Sequence, residues 1–466
     1  MSELASESWA QREQPPSGVT LVLSTPPTPN GPLHVGHLSG PYIAADIAVR
    51  AARAAGQAVV SVCGLDPHQN YVLARAESDG TTAEVALDKY GPLILDAMAG
   101  ARVDHDVFFE PYTDTAYQQG VGRVLDGLLD AGVASIEDTT LTGCAGCGRT
   151  LHHVRVAGRC PACGEGASGG TCEGCGSFVT AATLIDARST CCEADPTPVQ
   201  QQIPVLHLER WRAELTEIWA RAQIPPRVRH LLAGYLDHGL PDVPLAYETD
   251  WGIRWTHDRV QGRELRIDVW AEMAFGYLYG IARHLTGAEP VDLAECAAGW
   301  SGVAGMWNFF GIDNAFYYTV LNPAIMTAAG LHPGLLHGVV VNEFYRLDGL
   351  KFSTSRDHAI WAHEFLATED PSVVRAYLSW ERPDRYSTDF TRAGYEAFKE
   401  RYGAAVNSVP AGPHVLAEKD AARAAQALRL ESFDPAVAVR CVLDAHRVDP
   451  ESAAGPLAAL TGSAPG

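Results

Sequence analysis

The residues Pro26–Gly40, PPTPNGPLHVGHLSG, join two segments of different character. The preceding segment Gly18–Ser24, GVTLVLS, is apolar and rich in β-branched residues, which predicts a buried strand. The following residues, 38–55, are rich in alanine and predict a helix. The stretch is therefore a predicted strand-to-helix turn. In such a turn glycines let the backbone approach a ligand, and the helix start offers free N–H groups to an anion.

Two histidines flank a glycine inside this turn. His34 and His37 are three residues apart, a spacing that places both side chains on one side of a first helical turn. Such a pair is able to donate hydrogen bonds to a phosphate whose charge grows in a transition state. The alternative is a pair of ordinary surface or core histidines, and the spacing alone leaves both interpretations open.

Composition limits the class of protein. A chain of 466 residues with 47% hydrophobic content predicts about two or three globular domains. The sequence contains neither a signal peptide nor an apolar run of about eighteen residues, so we expect a cytoplasmic protein with no membrane partner. The net charge of −21 argues against a broad nucleic-acid surface, because binding phosphates requires a positive field.

The cysteines are concentrated in one segment. Eight of the eleven lie within residues 144–192. They form the Cys-x-x-Cys pairs Cys144/Cys147, Cys160/Cys163 and Cys172/Cys175, followed by the adjacent Cys191 and Cys192. In a cytosolic chain this pattern indicates metal binding, since two glycine-rich knuckles complete a closed, structural zinc site. The alternative is a set of reduced free thiols.

A second candidate loop lies between residues 346 and 366. An apolar segment, Gly338–Asn342, predicts a strand before it, and we expect a helix from near Asp357. The loop between them carries two cations and three hydroxyls: Lys351, Ser353, Thr354, Ser355 and Arg356. Such a group is able to clamp a polyphosphate, whereas the alternative is a solvated loop.

The combination resembles the class I aminoacyl-tRNA synthetases, specifically the methionyl-tRNA synthetase family. PNGPLHVGH resembles the family's HIGH motif, and LKFSTS resembles its KMSKS loop. VCGLDPHQNYVLARAESDG resembles the GTDEHG segment, and the knuckles resemble the zinc-bearing connective peptide. The resemblance is collinear over residues 19–407, most of the chain.

The resemblance implies an α/β fold. It consists of a Rossmann-like parallel sheet with a zinc-knuckle insertion and a short helical C-terminal region. The implied divisions are a disordered tail at 1–17, the first half of the catalytic domain at 18–115, the connective insertion at 116–230, the second half at 231–330, a stem-contact region at 331–395 and a helical remnant at 396–466. Ligands of such sheets bind at the carboxyl ends of the strands.

The resemblance also implies roles for individual residues, with ATP, Mg²⁺ and Zn²⁺ as cofactors. The expected catalytic residues are His34, His37 and Lys351. The expected ATP-binding residues are Asn30, Gly31, Gly311, Asp313, Phe352 and Arg356. The expected amino-acid-binding residues are Pro26, Thr28, Asp66, Trp270, Met273, Ala274, Tyr277, Asn314 and Tyr317.

The metal ligands depart from the family pattern in one place. We expect one zinc ion on Cys160, Cys163, Cys172 and Cys175. A second set, Cys144, Cys147, Cys191 and Cys192, is a weaker candidate. The family spacing would put a cysteine where Ser189 stands, and adjacent cysteines chelate one ion awkwardly. We therefore expect a second ion to be absent or partial.

The amino-acid pocket departs further from the family. Met273 replaces a small alanine and should fill volume, while Thr28, Asn314 and Tyr317 bring polar groups. A site built to hydrogen-bond a group rejects analogues that lack it. We therefore expect a small or polar substrate such as glycine, serine or glutamate rather than methionine.

These departures favour one function over two others. Only 59 residues follow Asn407, so we expect no anticodon-binding domain and weak or absent tRNA recognition. The chain also resembles the synthetase-like enzymes of natural-product pathways, some of which pair with a cupin domain and build N–N bonds. This resemblance implies the favoured activity, transfer of an activated amino acid to a small-molecule amine or hydroxylamine in a biosynthetic pathway, with a separate cupin protein as the partner for N–N bond formation. The alternatives are a methionine–tRNA ligase without that domain and a non-catalytic binding module.

Overall fold

The computed structural model describes residues 18–192, 194–352, 358–409 and 414–463. The predicted tail at 1–17 and the loop residues Ser353 to Asp357, including Arg356, lie outside the described residues.

The strands are short except for one long hairpin in the insertion. In chain order they are β1 Val19–Ser24, β2 Val59–Gly64, β3 Val107–Phe109, β4 Ser135–Cys144, β5 Val156–Arg159, β6 Gly166–Ser168, β7 Gly170–Thr171, β8 Phe178–Val179, β9 Ile185–Ser189, β10 Pro196–His207, β11 Asp242–Pro244, β12 Ala246–Tyr247, β13 Arg254–Thr256, β14 Glu264–Ile267, β15 Val303–Gly311, β16 Leu336–Asn342, β17 Tyr345–Leu347, β18 Leu350–Lys351 and β19 Thr388–Phe390.

The helices surround the main sheet and form the C-terminal region. In chain order they are α1 Val35–His37, α2 Ile43–Ala54, α3 Tyr71–Asp79, α4 Ala83–Gly100, α5 Thr115–Asp130, α6 Arg212–Arg221, α7 Pro226–His238, α8 Val269–Thr286, α9 Leu293–Ala298, α10 Asn322–Ala328, α11 Ala362–Thr368, α12 Pro371–Trp380, α13 Arg392–Val406, α14 Val415–Ala427, α15 Pro435–Val448 and α16 Pro450–Thr461.

The central sheet is parallel and is buried on both faces. Its order is β16-β15-β1-β2-β3, and all four pairings are parallel. Along β1, Leu21 and Leu23 pack into a core shared with α5 and α8, whereas Val22 packs against Ala44 and Ala48 of α2. Both faces of a parallel sheet need such covers, so its strands are apolar throughout. This arrangement confirms the predicted α/β class.

The turn after β1 departs from the predicted continuous helix over residues 38–55. One turn of α-helix, α1, passes into a π-helical turn at 38–42, and α2 begins only at Ile43. Gly40 has a non-helical ψ of −114°, and Pro41 follows it. Proline cannot donate a backbone hydrogen bond, so the helix is interrupted there. The helix expected near Asp357 was also placed too early, because α11 begins at Ala362.

The insertion leaves the sheet between β3 and β15. Its stem is the antiparallel pair of β4 and β10, whose register joins Ser135 to Val205 at one end and Cys144 to Pro196 at the other. The cysteine knuckles lie beyond this end, supported by the small sheets β6-β5-β9 and β7-β8.

Gly276 allows α8 to approach α5 closely, since a Cβ there would lie 1.8 Å from the Tyr117 hydroxyl oxygen.

The C-terminal helices pack directly on a helix that covers the central sheet. The fully buried Arg375 of α12 donates to Asp46 Oδ2 of α2 at 2.6 Å and to the Leu460 carbonyl of α16 at 2.9 Å. Burial lowers the pKa of Arg375, and the ion pair with Asp46 opposes this shift and compensates the buried charge. Within the described parts of the chain, no helix combines the length and apolar character needed to cross a membrane.

Candidate functional site

A large cleft opens where the central strands end. Thr25 follows β1, Gly311 ends β15 and Asn342 ends β16, and all three line about 1770 Å³ of empty space that is open to solvent. The cleft brings together thirteen residues that the sequence suggested: Pro26, Thr28, Asn30, Gly31, His34, His37, Asp66, Trp270, Gly311, Asp313, Asn314, Lys351 and Phe352. The predicted ligand-binding edge is therefore built from segments distant in sequence.

The two histidines fix each other through backbone hydrogen bonds. The backbone N–H of His37 donates to Nδ1 of His34 at 3.3 Å, and the backbone N–H of His34 donates to Nδ1 of His37 at 3.2 Å. Their rings are stacked with centroids 3.7 Å apart. Because both Nδ1 atoms accept hydrogen bonds, each neutral imidazole carries its proton on Nε2. The pair therefore offers two Nε2–H donors.

The surroundings keep both imidazoles neutral. Burial, followed by the neighbouring His37 and Lys351, lowers the pKa of His34 well below its usual value. His37 is exposed towards the cleft, yet the protein around it lowers its pKa to about 4 by desolvation. Neutral donors hydrogen-bond an anion without adding charge of their own. The arrangement suits the stabilisation of charge that develops during a reaction.

Glycines hold two parts of the cleft in close contact. A Cβ at Gly36 would lie 3.0 Å from the His34 ring and 3.3 Å from Phe352, so glycine lets the His34 ring lie on Phe352 with centroids 4.3 Å apart. A Cβ at Gly311 would lie 2.6 Å from Asp313 Oδ1. Because Gly36 and Gly311 have no side chain, the His34 ring and the Asp313 carboxylate can lie close to the backbone.

One cysteine knuckle reaches into the cleft. Glu173, between Cys172 and Cys175, forms an ion pair with Lys351. Thr171, just before the knuckle, donates to the Asp313 carbonyl at 2.5 Å. Burial, then the negative charge of Glu173, raises the pKa of the Asp313 carboxyl to about 6. The knuckle therefore affects both the charge and the position of residues that were predicted to bind ATP.

A buried carboxyl marks the floor of the cleft. Asp66 is buried and accepts a hydrogen bond from the Thr28 hydroxyl at 2.9 Å. Burial, then the negative charge of Glu272, raises its pKa to about 7. Glu272 is paired with His68 Nδ1 at 2.8 Å. A ligand with an ammonium group would compensate the charge of Asp66 and keep it ionised.

A smaller cavity continues beneath Asp66 and Pro26. This floor cavity encloses about 310 Å³ of empty space and is lined by Met273, Tyr277 and Glu272 among others. The Tyr318 hydroxyl donates to Met273 Sδ at 3.3 Å, which holds the methionine side chain in place. Two carboxyls, an aromatic ring and a thioether therefore surround the space next to the predicted ammonium site.

Two predicted pocket residues lie elsewhere. Ala274 is buried in α8 and lines neither the cleft nor the floor cavity. Tyr317 is buried behind Trp270, with the two rings stacked at a centroid distance of 3.6 Å. It lines a separate side cavity, described below, rather than the cleft. Helical periodicity could not distinguish the two faces of these buried segments.

The structure brings together both sets of four cysteines. Within each set the sulfur atoms all lie within 4.8 Å of one another. In the inner cluster (Cys160, Cys163, Cys172 and Cys175) the sulfurs of two pairs, Cys163–Cys172 and Cys160–Cys175, are 3.6 and 3.8 Å apart. In the outer cluster (Cys144, Cys147, Cys191 and Cys192) the pairs Cys144–Cys192 and Cys147–Cys191 are 2.9 and 3.2 Å apart. A tetrahedral zinc site with bonds of about 2.3 Å separates its sulfurs by about 3.8 Å. The inner cluster fits this spacing, and the outer cluster is more compressed.

Sequence reasoning missed several polar residues around these cavities. Neither Glu173 nor Glu272 was selected from the sequence as a site residue. His153 and Asp268, whose side chains meet at 3.0 Å, were not selected at all. The adjacent histidines at 152 and 153 were the available signal, but their partner Asp268 is 115 residues away.

Comparison with known proteins gives a consistent family. Residues 20–407 match the model of the family described as tRNA synthetases class I (M). The methionine–tRNA ligase of Pyrococcus furiosus is 28% identical over 386 residues, which cover 81% of this chain and 53% of that protein. The methionine–tRNA ligase of Dehalococcoides mccartyi is 30% identical over 371 residues, which cover 78% and 65%. The chain spans about half the length of relatives such as the Pyrococcus protein.

A solved structure shares the fold. The methionyl-tRNA synthetase of Mycobacterium tuberculosis, bound by methionyl-adenylate, superposes with a TM-score of 0.67. The match covers 92% of this chain and 82% of that chain at 16% sequence identity. At this identity the likeness extends to the fold alone.

Proposed function

This chain belongs to the class I tRNA synthetases (M), and on that premise we propose that it activates an amino acid with ATP. The carboxylate of the amino acid attacks the α-phosphorus of ATP, and an aminoacyl adenylate and pyrophosphate result. The observation that carries this proposal is the convergence, in one cleft, of the neutral His34–His37 donor pair with Lys351, Asp313 and Asp66.

Each of these groups has a task in the proposed reaction. The Nε2–H groups of His34 and His37 donate to phosphate oxygens as their charge grows, and Lys351 holds the departing pyrophosphate. Asp313 accepts hydrogen bonds from the ribose, beside the close approach at Gly311 and Asn30–Gly31. Phe352 flanks the adenine. The protein contributes positioning and electrostatic stabilisation, and Mg²⁺ enters with ATP.

The inner cysteine cluster is proposed to hold a structural zinc ion. Its four sulfurs are spaced as tetrahedral coordination requires. A four-thiolate site has no open position for substrate, so the ion would stabilise the knuckle rather than take part in the reaction.

The substrate amino acid is proposed to be small. Its ammonium group binds Asp66, and its side chain enters the floor cavity beside Met273. The Met273 side chain lines this space and takes up part of the volume that the long side chain of methionine would need. The carboxyls of Asp66 and Glu272 repel an acidic side chain. Glycine and serine therefore fit better than glutamate.

The acyl acceptor is proposed to be a small-molecule amine or hydroxylamine. The net charge of −21 supports this choice over an acceptor that needs a broad basic surface. A biosynthetic role, with a separate cupin protein completing N–N bond formation, belongs to the same proposal. The clustered thiols favour a reducing, cytoplasmic location.

A second candidate is the methionine–tRNA ligase reaction. The relatives at 28% and 30% identity carry that name, and this observation favours it directly. Under this alternative the same cleft forms methionyl adenylate, and tRNA is the acceptor.

Amino-acid-dependent exchange of pyrophosphate into ATP tests the first step and its substrate. We expect the fastest exchange with glycine or serine, and we expect His34→Ala to raise the barrier by about 2–4 kcal/mol. Exchange at an unchanged rate in His34→Ala would remove the histidine pair from the mechanism. Fastest exchange with methionine, together with charging of total tRNA, would replace the first candidate with the second.

A further inference from the structure

We infer that the side cavity beside the cleft binds the acyl acceptor, and that His153 removes the acceptor's proton as it attacks the adenylate. This inference rests on the proposed function, because it concerns the second step that consumes the adenylate.

The side cavity lies between the stem of the insertion and the catalytic core. It contains about 920 Å³ of empty space, part of which is open to solvent. His153 and Gly169 line both this cavity and the cleft, so the two spaces are neighbours at these residues. The stacked rings of Trp270 and Tyr317 form the adjoining wall, with Trp270 on the cleft side and Tyr317 on the cavity side.

A buried network orients His153 at this junction. Its Nε2 lies 3.0 Å from Asp268 Oδ2, and the Tyr247 hydroxyl donates to the same oxygen at 2.7 Å. Burial alone would raise the pKa of Asp268, but His153, Tyr247 and the Trp270 backbone N–H together hold it below its usual value. An ionised Asp268 accepts from Nε2–H of His153. The lone pair of the imidazole is then on Nδ1, which makes Nδ1 the basic atom.

This basic atom lies beside a glycine at the edge of the side cavity. A Cβ on Gly170 would lie 2.8 Å from Nδ1 of His153 and 3.1 Å from the hydroxyl oxygen of Tyr317, so a side chain there would crowd both polar atoms. Gly170 has a φ of +102°, which strongly favours glycine. His153, Gly170 and Tyr317 all line the side cavity, so the glycine keeps the base and the hydroxyl clear of a side chain there.

The Tyr317 hydroxyl is the second sign of a ligand. Tyr317 is only 1% exposed, and among the described residues its hydroxyl has no hydrogen-bond partner. Leaving a buried hydroxyl unpaired costs about 1–3 kcal/mol. A ligand atom bound in the side cavity near Gly170 would satisfy this hydroxyl, whereas phenylalanine at the same position would offer no hydrogen-bonding group.

The cavity walls define the chemical class of the acceptor. Apolar side chains of Leu141, Leu151, Phe178, Val179 and Val243 make up much of the lining. Its acidic residues are Asp242 and Asp268, and no lysine or arginine lines the described part of the cavity. The acceptor is therefore an amine or hydroxylamine with an apolar body, neutral or cationic rather than anionic.

The proposed step balances without any further reactant. The nitrogen or oxygen lone pair of the acceptor forms a bond to the carbonyl carbon of the adenylate. The bond from that carbon to the phosphate oxygen breaks, and AMP leaves with the electron pair. The proton of the acceptor passes to Nδ1 of His153, whose positive charge Asp268 stabilises until the proton is released to water.

The test separates the two half-reactions with a defined probe. The amino acid with the fastest exchange is incubated with ATP and N-butylhydroxylamine, and the acylated probe is measured by mass spectrometry over a range of probe concentrations. Three variants are compared: His153→Asn, Tyr317→Phe and His230→Asn. Asparagine tolerates the positive φ of 46° at His153, and His230 is an exposed histidine of α7 that serves as the control.

We expect saturable transfer in the unsubstituted protein. His153→Asn should lower kcat for transfer by about 100-fold or more, with exchange changed by less than about threefold. Tyr317→Phe should raise KM for the probe, and His230→Asn should change neither step.

Other outcomes would overturn the inference in distinguishable ways. Transfer that is unsaturable, or that persists in His153→Asn, shows that the side cavity is not the acceptor site. Equal loss of exchange and transfer in His153→Asn assigns this residue to structure or to the first step. An anionic probe, 4-(hydroxyamino)butanoate, transferred as efficiently as N-butylhydroxylamine contradicts the charge argument. The absence of exchange with every amino acid defeats the proposed function itself.

Discussion

The inner and outer cysteine clusters share one sequence pattern but occupy different places in the molecule. The inner cluster lies against the catalytic core, where a Cβ on Gly176 would be 2.6 Å from the Ile312 carbonyl oxygen and where Glu173 meets Lys351. The outer cluster lies at the end of the β4–β10 stem, with Cys144 paired in register with Pro196. A Cys-x-x-Cys knuckle therefore indicates a metal site, but only its position in the fold shows whether that site acts on the chemistry.

The two clusters also differ in their own geometry. The sulfurs of the two inner pairs are 3.6 and 3.8 Å apart, close to the tetrahedral value of about 3.8 Å. The outer pairs are 2.9 and 3.2 Å apart, and Ser189 Oγ lies 3.0 Å from Cys191 Sγ. The sequence made the outer set the weaker candidate for a metal site, and these two sulfur pairs are closer than tetrahedral coordination requires. All four of its sulfurs nevertheless lie within 4.8 Å of one another.

The largest expected difference is in activity. Cys172→Ser should lower the pyrophosphate exchange rate by about 100-fold or more, because metal binding and local folding are one process and the loosened knuckle releases Thr171 and Glu173 from the cleft. Cys144→Ser, the matched change in the outer cluster, should lower it less than about threefold. Exchange rates of purified proteins, normalised to folded protein by circular dichroism, measure the contrast.

Equal losses in the two variants would remove the functional distinction between the clusters. A wild-type rate in Cys172→Ser would show that the inner knuckle does not support the cleft at all.

The two clusters should also differ in how tightly they retain zinc, by less than their variants differ in activity, with the inner cluster again the more important. We expect one zinc equivalent per chain, retained on the inner cluster during dialysis against a chelator, and a second equivalent that is partial and lost first. Atomic emission analysis of the protein and of Cys144→Ser gives the stoichiometry. Two full equivalents that both resist the chelator would show that the outer sulfurs separate to the tetrahedral spacing when metal binds.

Much of the fold was accessible from local sequence patterns. The strand at 19–24 and the donor pair at His34 and His37 follow from apolar runs and short spacings, which depend on neighbouring residues alone. The interruption of the helix at Gly40–Pro41 was missed, although the glycine–proline step was the available signal.

Contacts between distant segments could not be predicted from local sequence patterns. Glu173 and Lys351 are 178 residues apart, and the chain must fold before their charges meet. His153 and Asp268 are similar, since they are 115 residues apart. Tyr317 was predicted to bind the amino acid and lies behind Trp270, because a sequence shows a buried helix but not which cavity each of its faces borders. Sequence motifs therefore locate the candidate site residues, whereas tertiary packing determines which distant side chains contact them.

A charge-neutral change tests whether the inner knuckle tunes ATP binding. Glu173→Gln should lower KM for ATP by about twofold to fivefold, because Lys351 no longer pairs with a carboxylate that competes with the phosphates. The effect is small since both partners are about half exposed, and such pairs contribute about 0–1 kcal/mol. Glu165→Gln, an exposed acid near the first knuckle of the same cluster, is the control and should leave KM unchanged. A KM that rises in Glu173→Gln would mean that this glutamate assists ATP binding.

The smallest expected effect is on the pH profile of the same variant. Asp313 must be ionised to accept hydrogen bonds from the ribose, and burial together with Glu173 raises its pKa to about 6. In the unsubstituted protein kcat/KM for ATP should therefore rise with pH through about 6 and level off above it. Glu173→Gln removes the second of these causes, so the pKa of Asp313 falls and the rise should move to lower pH by about 0.3 unit or less, equivalent to roughly 0.4 kcal/mol. Profiles measured between pH 5 and 8 should show this shift in Glu173→Gln but not in Glu165→Gln or Cys144→Ser. Coincident profiles would show that the charge of Glu173 does not affect the pKa of Asp313. The inner knuckle would then support the cleft only by holding its residues in position.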